Sequence, residues 1–299
     1  QAHSAAVNGD IITLSAGTFS SVDITKAVSI KGAGMGGDSA NRTSVTYLSG
    51  NFFLNIPDDE NNSLSMSYVC ITGQMKYHIA YRPTFLGCRF VQTIDNYDAP
   101  TYLNADIFVY PTFIGCVLNV GYEPYYSRSG AYFYNCYIYG GNNNTIPSSY
   151  SSNHGLIIID HCIINNMYSS VHNDYTISNS ILIVPNNTSS HNYLNVFNCI
   201  GIGNTEHPYF VNNDINNNIN YYSCSQVFRT FTGTYTNMSF ELSDSVASVV
   251  GSDNTQIGVY GGGYPFNNIL QYPSIIRCNV ANHSTADGKL AVDIEVVSE

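Results

Sequence analysis

A short unit built around cysteine recurs along the middle of this chain, and it constrains the fold more than any other feature. Each copy has an apolar strand end, a turn-prone residue, a cysteine and a second apolar run, as in Phe113-Ile114-Gly115-Cys116-Val117. One copy has Ser180 in place of the cysteine. The cysteines that fit the unit, the last two more loosely, are Cys88, Cys116, Cys136, Cys162, Cys199, Cys70 and Cys224.

The spacing of these units predicts a solenoid. Successive members from Cys70 to Cys224, with Ser180 included, lie 18 to 28 residues apart. A mean step of roughly 22 residues is typical of stacked structural repeats. A constant unit with variable steps indicates that one corner of each coil is fixed while another corner accepts insertions.

The residue before each cysteine or serine predicts a sharp bend. Gly and Asn adopt the left-handed backbone conformation most readily, and one such residue redirects a strand onto the next face of the coil. Coils stacked at roughly 4.8 Å then pair every strand with its neighbours above and below. The predicted bend residues are Gly87, Gly115, Asn135, His161, Asn179 and Asn198.

The residue after each bend is expected to point inward and form a ladder. Cysteine behaves there as a small hydrophobe, so we expect these thiols to stay reduced. The chain has no CxxC or CxxH pair, and we therefore predict no metal centre. The sequence thus predicts an all-β, single-stranded parallel β-helix of roughly 11–12 coils.

Three segments resemble the pectin-lyase-like superfamily of right-handed parallel β-helices. The segment AAVNGDIITLSAGTF at 5–19 and the segment ITKAVSIKGAG at 24–34 resemble the first coils of such proteins. The segment QIGVYGG at 256–262 resembles the last coil of members from bacterial cell surfaces. The resemblance implies a right-handed helix but no particular activity, because the superfamily includes lyases, hydrolases and adhesins.

The chain divides into two predicted parts. Residues 1–265 are expected to form the β-helix, with residues 2–7 as a short helical plug on the first coil. Residues 266–299 are expected to form a β-hairpin that acts as a cap or spacer, with two alternating strands flanking the turn signal Ala286-Asp287-Gly288.

Charge excludes several classes of partner. The formal net charge is -11 and only 10% of residues are charged, so binding to nucleic acid or to an acidic membrane is not expected. No apolar stretch is long enough to cross a bilayer. The chain begins at Gln1 without a signal peptide, and we expect a mature domain that is secreted or displayed on a bacterial surface.

The sequence offers one candidate for catalysis, a divergent Ca²⁺-dependent polysaccharide lyase. Asp95, Asp98 and Glu123 fall in predicted insertions about one coil apart, with Arg128 nearby as a base. The segment 158–162 superficially resembles a motif of pectate lyases, but Ile158 replaces its Trp and the bend alone accounts for His161.

Tyrosines on the insertion side favour a different function. A tyrosine ring has an apolar face and a hydroxyl, which together suit sugar rings. The sequence therefore predicts a surface protein without a recognisable catalytic site or cofactor, which binds polysaccharide or acts as an adhesin-like module. A structural spacer is the remaining alternative, and the oligomeric state is left open. The candidate sugar-binding residues are Tyr97, Tyr102, Tyr122, Tyr125, Tyr126 and Tyr150.

Overall fold

The chain folds as a right-handed parallel β-helix, which confirms the predicted fold class. Its coils contribute strands to three parallel sheets of nine, ten and four strands. The computed structural model describes residues 1–36, 45–56, 63–79, 82–91, 94–95, 110–118, 122–123, 131–139, 156–165, 175–183, 194–202, 219–222, 224–230, 240–266, 274–280 and 292–297.

The nine-stranded sheet takes one strand from each of nine successive coils. Alternation along the strands places every second residue in the core and the residues between them on the outer surface. Its strands are β1 (Ile11–Thr13), β3 (Ser29–Lys31), β6 (Ser65–Ser67), β9 (Thr84–Leu86), β12 (Thr112–Ile114), β15 (Ala131–Tyr134), β17 (Ile157–Asp160), β19 (Tyr175–Ser178) and β21 (Leu194–Phe197).

The ten-stranded sheet follows the bend in each coil. Its strands are β2 (Gly17–Ser20), β4 (Thr46–Ser49), β7 (Cys70–Ile71), β10 (Arg89–Phe90), β13 (Val117–Leu118), β16 (Tyr137–Tyr139), β18 (Ile163–Asn165), β20 (Ile181–Ile183), β22 (Cys199–Ile202) and β23 (Ile219–Tyr222). The four-stranded sheet forms a third face in the early coils. Its strands are β5 (Phe52–Asn55), β8 (Met75–Ile79), β11 (Ile94–Asp95) and β14 (Tyr122–Glu123).

The bends between the nine-stranded and ten-stranded sheets are left-handed single residues. All six residues that the sequence marks as bends have φ between 50° and 58°. Tyr68 has φ 58° and occupies the same corner in the coil before Gly87. A side chain at such an angle is disfavoured for residues other than Gly, Asn and Asp. A bend at Tyr68 is therefore not predictable from the residue type alone.

A file of buried side chains follows the bends along the helix interior. The backbone N–H of Cys88 donates to Sγ of Cys116 at 3.4 Å, and that of Cys116 donates to Sγ of Cys136 at 3.4 Å. The file continues through Cys162, whose N–H donates to Oγ of Ser180 at 3.0 Å. Each ladder atom thus satisfies a backbone donor that the bend would otherwise leave unpaired. Serine can replace cysteine because its oxygen accepts the same bond.

Two of the cysteines assigned to the ladder from the sequence, Cys70 and Cys224, lie outside it, which corrects that assignment. Cys70 pairs in register with Arg89 rather than with Cys88, so Val69 holds the ladder position in that coil. The cause is the bend at Tyr68, which comes two residues before Cys70. At the other end, Cys199 pairs with Ile219, and Cys224 instead begins the short helix α2 (Cys224–Val227).

The core inside the helix is built from columns of in-register apolar residues. In the nine-stranded sheet the central column stacks Phe85, Phe113 and Phe133, with ring centroids 5.1 and 4.9 Å apart and nearly parallel planes. Phe90 from the ten-stranded sheet meets Phe113 edge to face at 5.6 Å. Stacked coils therefore share one continuous aromatic and aliphatic interior.

A second apolar cluster lies on the outer face of the ten-stranded sheet. Its sheet residues include Val117, Tyr137 and Ile163, all fully buried. They are covered by residues 224–230 and 240–266, which include Phe240 at 4.9 Å from the ring of Tyr137. These segments form no further coil, so the described coils end at β23 rather than near residue 265. The segment 256–262 accordingly lies on the outside and is not a last coil.

The first coil carries a short helix, α1 (Ala2–Ala5). Nζ of Lys26 donates to the carbonyl oxygens of His3, Ser4 and Ala6 at 3.0, 2.9 and 2.6 Å. A cation at the C-terminal end of a helix satisfies carbonyls that have no partner within the helix. This contact holds the helix against the start of the solenoid.

The last residues form a separate compact unit. This unit comprises residues Ile269–Glu299, and residues Gln1–Asn268 form the other unit. Within the smaller unit, β24 (Ser274–Val280) pairs antiparallel with β25 (Val292–Val297). This is the short strand pair that the sequence predicts at the end of the chain.

Candidate functional surface

The outer face of the nine-stranded sheet carries tyrosines at its centre. In β15, Ala131 and Phe133 are buried while Tyr132 and Tyr134 are half-buried on the opposite face. Residues two apart on a strand share a face, so both rings project outward. Their centroids are 6.4 Å apart and their planes differ by 6°. One strand thus presents two nearly parallel aromatic rings to the outside.

Two further tyrosines extend this pair on either side. The ring of Tyr110 lies 6.0 Å from that of Tyr132, and the ring of Tyr264 lies 6.2 Å from that of Tyr134. Tyr264 is 54% exposed. We call Tyr110, Tyr132, Tyr134 and Tyr264 the tyrosine row. It offers a continuous strip of aromatic surface about four rings long.

Two phenols of the row, those of Tyr110 and Tyr134, have raised pKa values and stay neutral around neutral pH. Burial is the main cause that raises the pKa of Tyr110, with a further contribution from Tyr132. Burial also raises the pKa of Tyr134, followed by Tyr132, Asp160 and Tyr264. A neutral phenol both donates and accepts a hydrogen bond. The row therefore combines apolar ring faces with hydroxyl groups of both hydrogen-bonding roles.

The residue Tyr264 reaches this row from an outer segment, residues 251–264, which we call the strap. The strap is fastened to the bends of three successive coils. Nδ2 of Asn135 donates to the carbonyls of Val259 and Gly261 at 2.9 and 2.7 Å. Oδ1 of Asn179 accepts from the N–H of Ser252 at 2.8 Å. The same side chains that permit the bends therefore hold the strap in place.

His161 makes the third fastening. Its side chain is 2% exposed. Nδ1 lies 2.9 Å from Oδ2 of Asp160, and Nε2 lies 3.1 Å from Oγ1 of Thr255 and 3.4 Å from Oδ2 of Asp253. Asp160 belongs to β17, whereas Asp253 and Thr255 belong to the strap. We call Asp160, His161, Asp253 and Thr255 the histidine bridge.

The pKa values in the bridge reflect this pairing. Burial alone lowers the pKa of His161, but the hydrogen bond and charge of Asp160 and the charge of Asp253 outweigh it and raise the pKa overall. For Asp160, burial opposes ionisation, yet hydrogen bonds from His161, Ser178 and Asn179 lower the pKa of the carboxyl overall. The bridge thus favours a charged imidazolium between carboxylates.

The imidazole of His161 and the carboxylate of Asp160 are fully engaged within the bridge. Both oxygens of Asp160 are engaged, Oδ1 by Ser178 Oγ at 2.6 Å and by Asn179 Nδ2 at 2.9 Å, and Oδ2 by His161. The ring of His161 is covered by the strap, where a Cβ on Gly262 would lie 2.8 Å from Nδ1. The arrangement is that of a fastening between two segments.

The lyase candidates are brought together only in part. Strands β11 and β14 pair in parallel with Asp95 opposite Glu123, and Lys76 on β8 is the next partner of Asp95. Two predicted carboxylate residues therefore occupy adjacent positions on the four-stranded sheet. Asp98 and Arg128 lie outside the described residues. Among the side chains that the structure describes, no group of three or more His, Cys, Asp or Glu residues could hold a metal ion.

The structure describes one of the six tyrosines that the sequence analysis names as candidate sugar-binding residues. Tyr122 is described only as part of the backbone of β14. The others, Tyr97, Tyr102, Tyr125, Tyr126 and Tyr150, lie outside the described residues.

The tyrosine row was missed in the sequence, although part of it has a clear signal. The alternation Ala131-Tyr132-Phe133-Tyr134 places two tyrosines on one face of a strand. Tyr264 carries no such signal, because its place in the row depends on the strap.

Comparisons of the chain with known proteins found no match. No family model, no curated protein and no solved structure matches it. In the part of the chain that the structure describes, no helix is both long and apolar enough to cross a membrane.

Proposed function

We propose that this chain is a non-catalytic β-helical surface module that binds a glycan on the tyrosine row. The observation that carries this proposal is the run of four tyrosine rings spaced 6.0 to 6.4 Å apart on one outer face. Sugars stack their apolar ring faces on aromatic side chains and hydrogen-bond to hydroxyls at the edge, and tyrosine supplies both.

The preferred glycan is a neutral one. The chain has a formal net charge of -11, and Asp160 lies close enough to Tyr134 to raise the pKa of its phenol. Uronic or sialic acids would approach against this negative potential. A neutral polysaccharide meets no such barrier and can use the rings and hydroxyls alone.

A surface location outside the cytoplasm belongs to the same proposal. The scarcity of charged residues, at 10%, and the resemblance of segments 5–19 and 24–34 to the first coils of pectin-lyase-like β-helix proteins support it. Binding a glycan without cutting it makes the module adhesin-like, with the solenoid as a rigid support for the row.

Titration of neutral and acidic polysaccharides against matched variants tests the proposal. We expect the double variant Y132A/Y134A to bind a neutral glycan about tenfold more weakly or worse, since each ring contact contributes on the order of 1 kcal/mol. The control is Tyr47→Ala, because Tyr47 is 37% exposed but lies on β4 of the ten-stranded sheet. The control should bind like the unaltered protein.

Three results would overturn the proposal. These are equal binding by the double variant, tighter binding of acidic than of neutral glycans, and no binding across a broad panel. The last result would leave the structural spacer as the better account of the chain.

A divergent lyase remains a second candidate because Asp95 and Glu123 are register partners. In that case Ca²⁺ would raise the melting temperature, since an ion that binds only the folded state stabilises it. The double variant D95N/E123Q would abolish that rise, and acidic polysaccharides would yield unsaturated products. An unchanged melting temperature with Ca²⁺ argues against this candidate.

A further inference from the structure

The hydrogen bonds of Thr255 determine the protonation state of His161 in the histidine bridge. Oγ1 of Thr255 lies 2.8 and 2.9 Å from the two carboxylate oxygens of Asp253, so its single proton is donated there. The same oxygen accepts from the backbone N–H of Gly262 at 2.7 Å. It can therefore only accept from Nε2 of His161, 3.1 Å away.

The other ring nitrogen must donate as well. Nδ1 of His161 faces Oδ2 of Asp160 at 2.9 Å, and an ionised carboxylate only accepts. A neutral imidazole has one N–H, whereas an imidazolium has two. Both contacts together are satisfied only by the protonated ring.

A short physical connection joins this bridge to the tyrosine row. Thr255 binds the N–H of Gly262, and Gly262 packs against the His161 ring. Gly261 next to it is held by Asn135. Tyr264 lies two residues after Gly262, and its ring centroid is 6.2 Å from that of Tyr134. The placement of Tyr264 therefore depends on how firmly the strap is held at His161.

We propose that His161 is a positioning residue whose bridge to the strap holds Tyr264 in the tyrosine row, so that glycan affinity falls when the ring loses its proton. This inference rests on the proposed glycan function for its consequence, but the fastening itself can be measured without any ligand. His161 does not touch the glycan and acts through Thr255, Gly262 and Tyr264.

The direction of the pH effect follows from the groups that face the ring. Among the described residues these are Asp160 from β17 and Asp253 from the strap, and beyond Asp160 the phenol of Tyr134. The pKa of His161 is raised from 6.5, so its stabilising contribution is complete below that value and is lost as pH rises through the higher folded-state value. The pKa values of Asp160 and Asp253 are lowered from 3.8, so their contribution is lost only in stronger acid.

The substitution His161→Asn separates the two roles of this residue. Asparagine tolerates the left-handed bend, as Asn135, Asn179 and Asn198 show in other coils at φ 50–54°. It cannot carry the imidazolium charge. The coil should therefore fold normally while the strap loses its charged fastening.

The decisive measurement is the glycan dissociation constant at about pH 5.5 and about pH 8.5, on either side of a raised histidine pKa. For the unaltered protein we expect binding to weaken by roughly threefold to tenfold at the higher pH, the value of one ring contact. H161N and Tyr264→Ala should both bind weakly at the two pH values, with no such difference between them.

Hydrogen exchange of residues 251–264, corrected for the intrinsic effect of pH, reads out the strap directly. We expect protection to fall at the higher pH in the unaltered protein and to be low at both pH values in H161N. Glycan affinity that does not depend on pH, or an H161N variant that keeps the original pH dependence, overturns the inference. If no glycan binds, the proposed function fails, and the exchange data still decide whether the fastening responds to pH.

Discussion

The side-chain amide of Asn135 donates to the carbonyl oxygen of Gly261 at 2.7 Å, across 126 positions of sequence. Asn135 is also the left-handed bend of its coil, with φ 54°. The contact requires the strap to lie directly on the corner, and only glycine fits there. A Cβ on Gly261 would overlap the carbonyl oxygen of Gln256 and lie 2.7 Å from Cδ2 of His161.

We therefore expect Gly261→Ala to loosen the strap. The variant should lower the free energy of unfolding by about 1–3 kcal/mol, the usual cost of overpacking a close contact, and expose residues 251–264 to limited proteolysis. Gly263→Ala is the matched control, because a Cβ there meets nothing within 4 Å. Equal stability and equal proteolysis of both variants would contradict the close packing of the strap.

The stacked phenylalanines inside the coils predict a large core effect. Phe113 is fully buried between Phe85 and Phe133, so Phe113→Ala should cost about 3–5 kcal/mol in the free energy of unfolding. Phe113→Leu retains most of the volume and should cost much less. Chemical denaturation followed by circular dichroism measures both, and a small loss in the alanine variant would refute a continuous interior stack.

The buried thiol ladder predicts resistance to alkylation. Cys88, Cys116 and Cys136 are fully buried, and burial is the main cause that raises the pKa of each thiol. Iodoacetamide should label none of these three in the native protein and all of them in denaturant, because only the exposed thiolate reacts. Peptide mass spectrometry locates the label, and an exposed thiol introduced by Ser4→Cys serves as the positive control. Native labelling of Cys116 would rule out the ladder.

The carboxylate of Asp160 predicts a pH-dependent contribution to stability. It accepts hydrogen bonds from His161, Ser178 and Asn179, so Asp160→Asn should cost about 2–3 kcal/mol near pH 5.5. Its lowered pKa means that this contribution is present above the ordinary value of 3.8 and is lost as pH falls through the folded-state value. The variant should therefore lose less stability than the unaltered protein on acidification to about pH 2.5.

Asp244→Asn provides the comparison for that experiment. The carboxylate of Asp244 is 93% exposed and pairs with Arg229 at 2.9 Å. Surface ion pairs contribute little to stability. If D244N changed the loss of stability on acidification as much as D160N does, the assignment of that effect to the histidine bridge would be wrong.

The sequence predicts the coils well because local chemistry determines their corners. Gly115 and Asn198 stand where a left-handed angle is needed, and a small ladder residue follows each of them. The register of Cys70 was missed because Tyr68 makes the same bend without favouring it. Packing against the neighbouring coils imposes the positive φ angle of Tyr68, and the conformational preference of tyrosine alone does not predict it.

The covered outer face had a signal that could have been recognised. Segments such as Cys162-Ile163-Ile164 are apolar at consecutive positions, which indicates burial on both faces. By contrast, Ala131-Tyr132-Phe133-Tyr134 contains residues that can face water at alternate positions. What the sequence does not show is which segment covers the apolar face. The segment 256–262 resembles a last coil in sequence, whereas its glycines serve a distant contact with the bends at Asn135 and His161.

The long-range fastening of the strap has a consequence for the order in which the chain matures. A polypeptide is made from its N-terminus, and stacked repeats can form one after another as they emerge. Asn135 is synthesised 126 residues before its partner Gly261. The apolar outer face with Tyr137 and Ile163 therefore stays uncovered until residues 224–230 and 240–266 have been made, and nascent chains that stop before these residues are prone to aggregate.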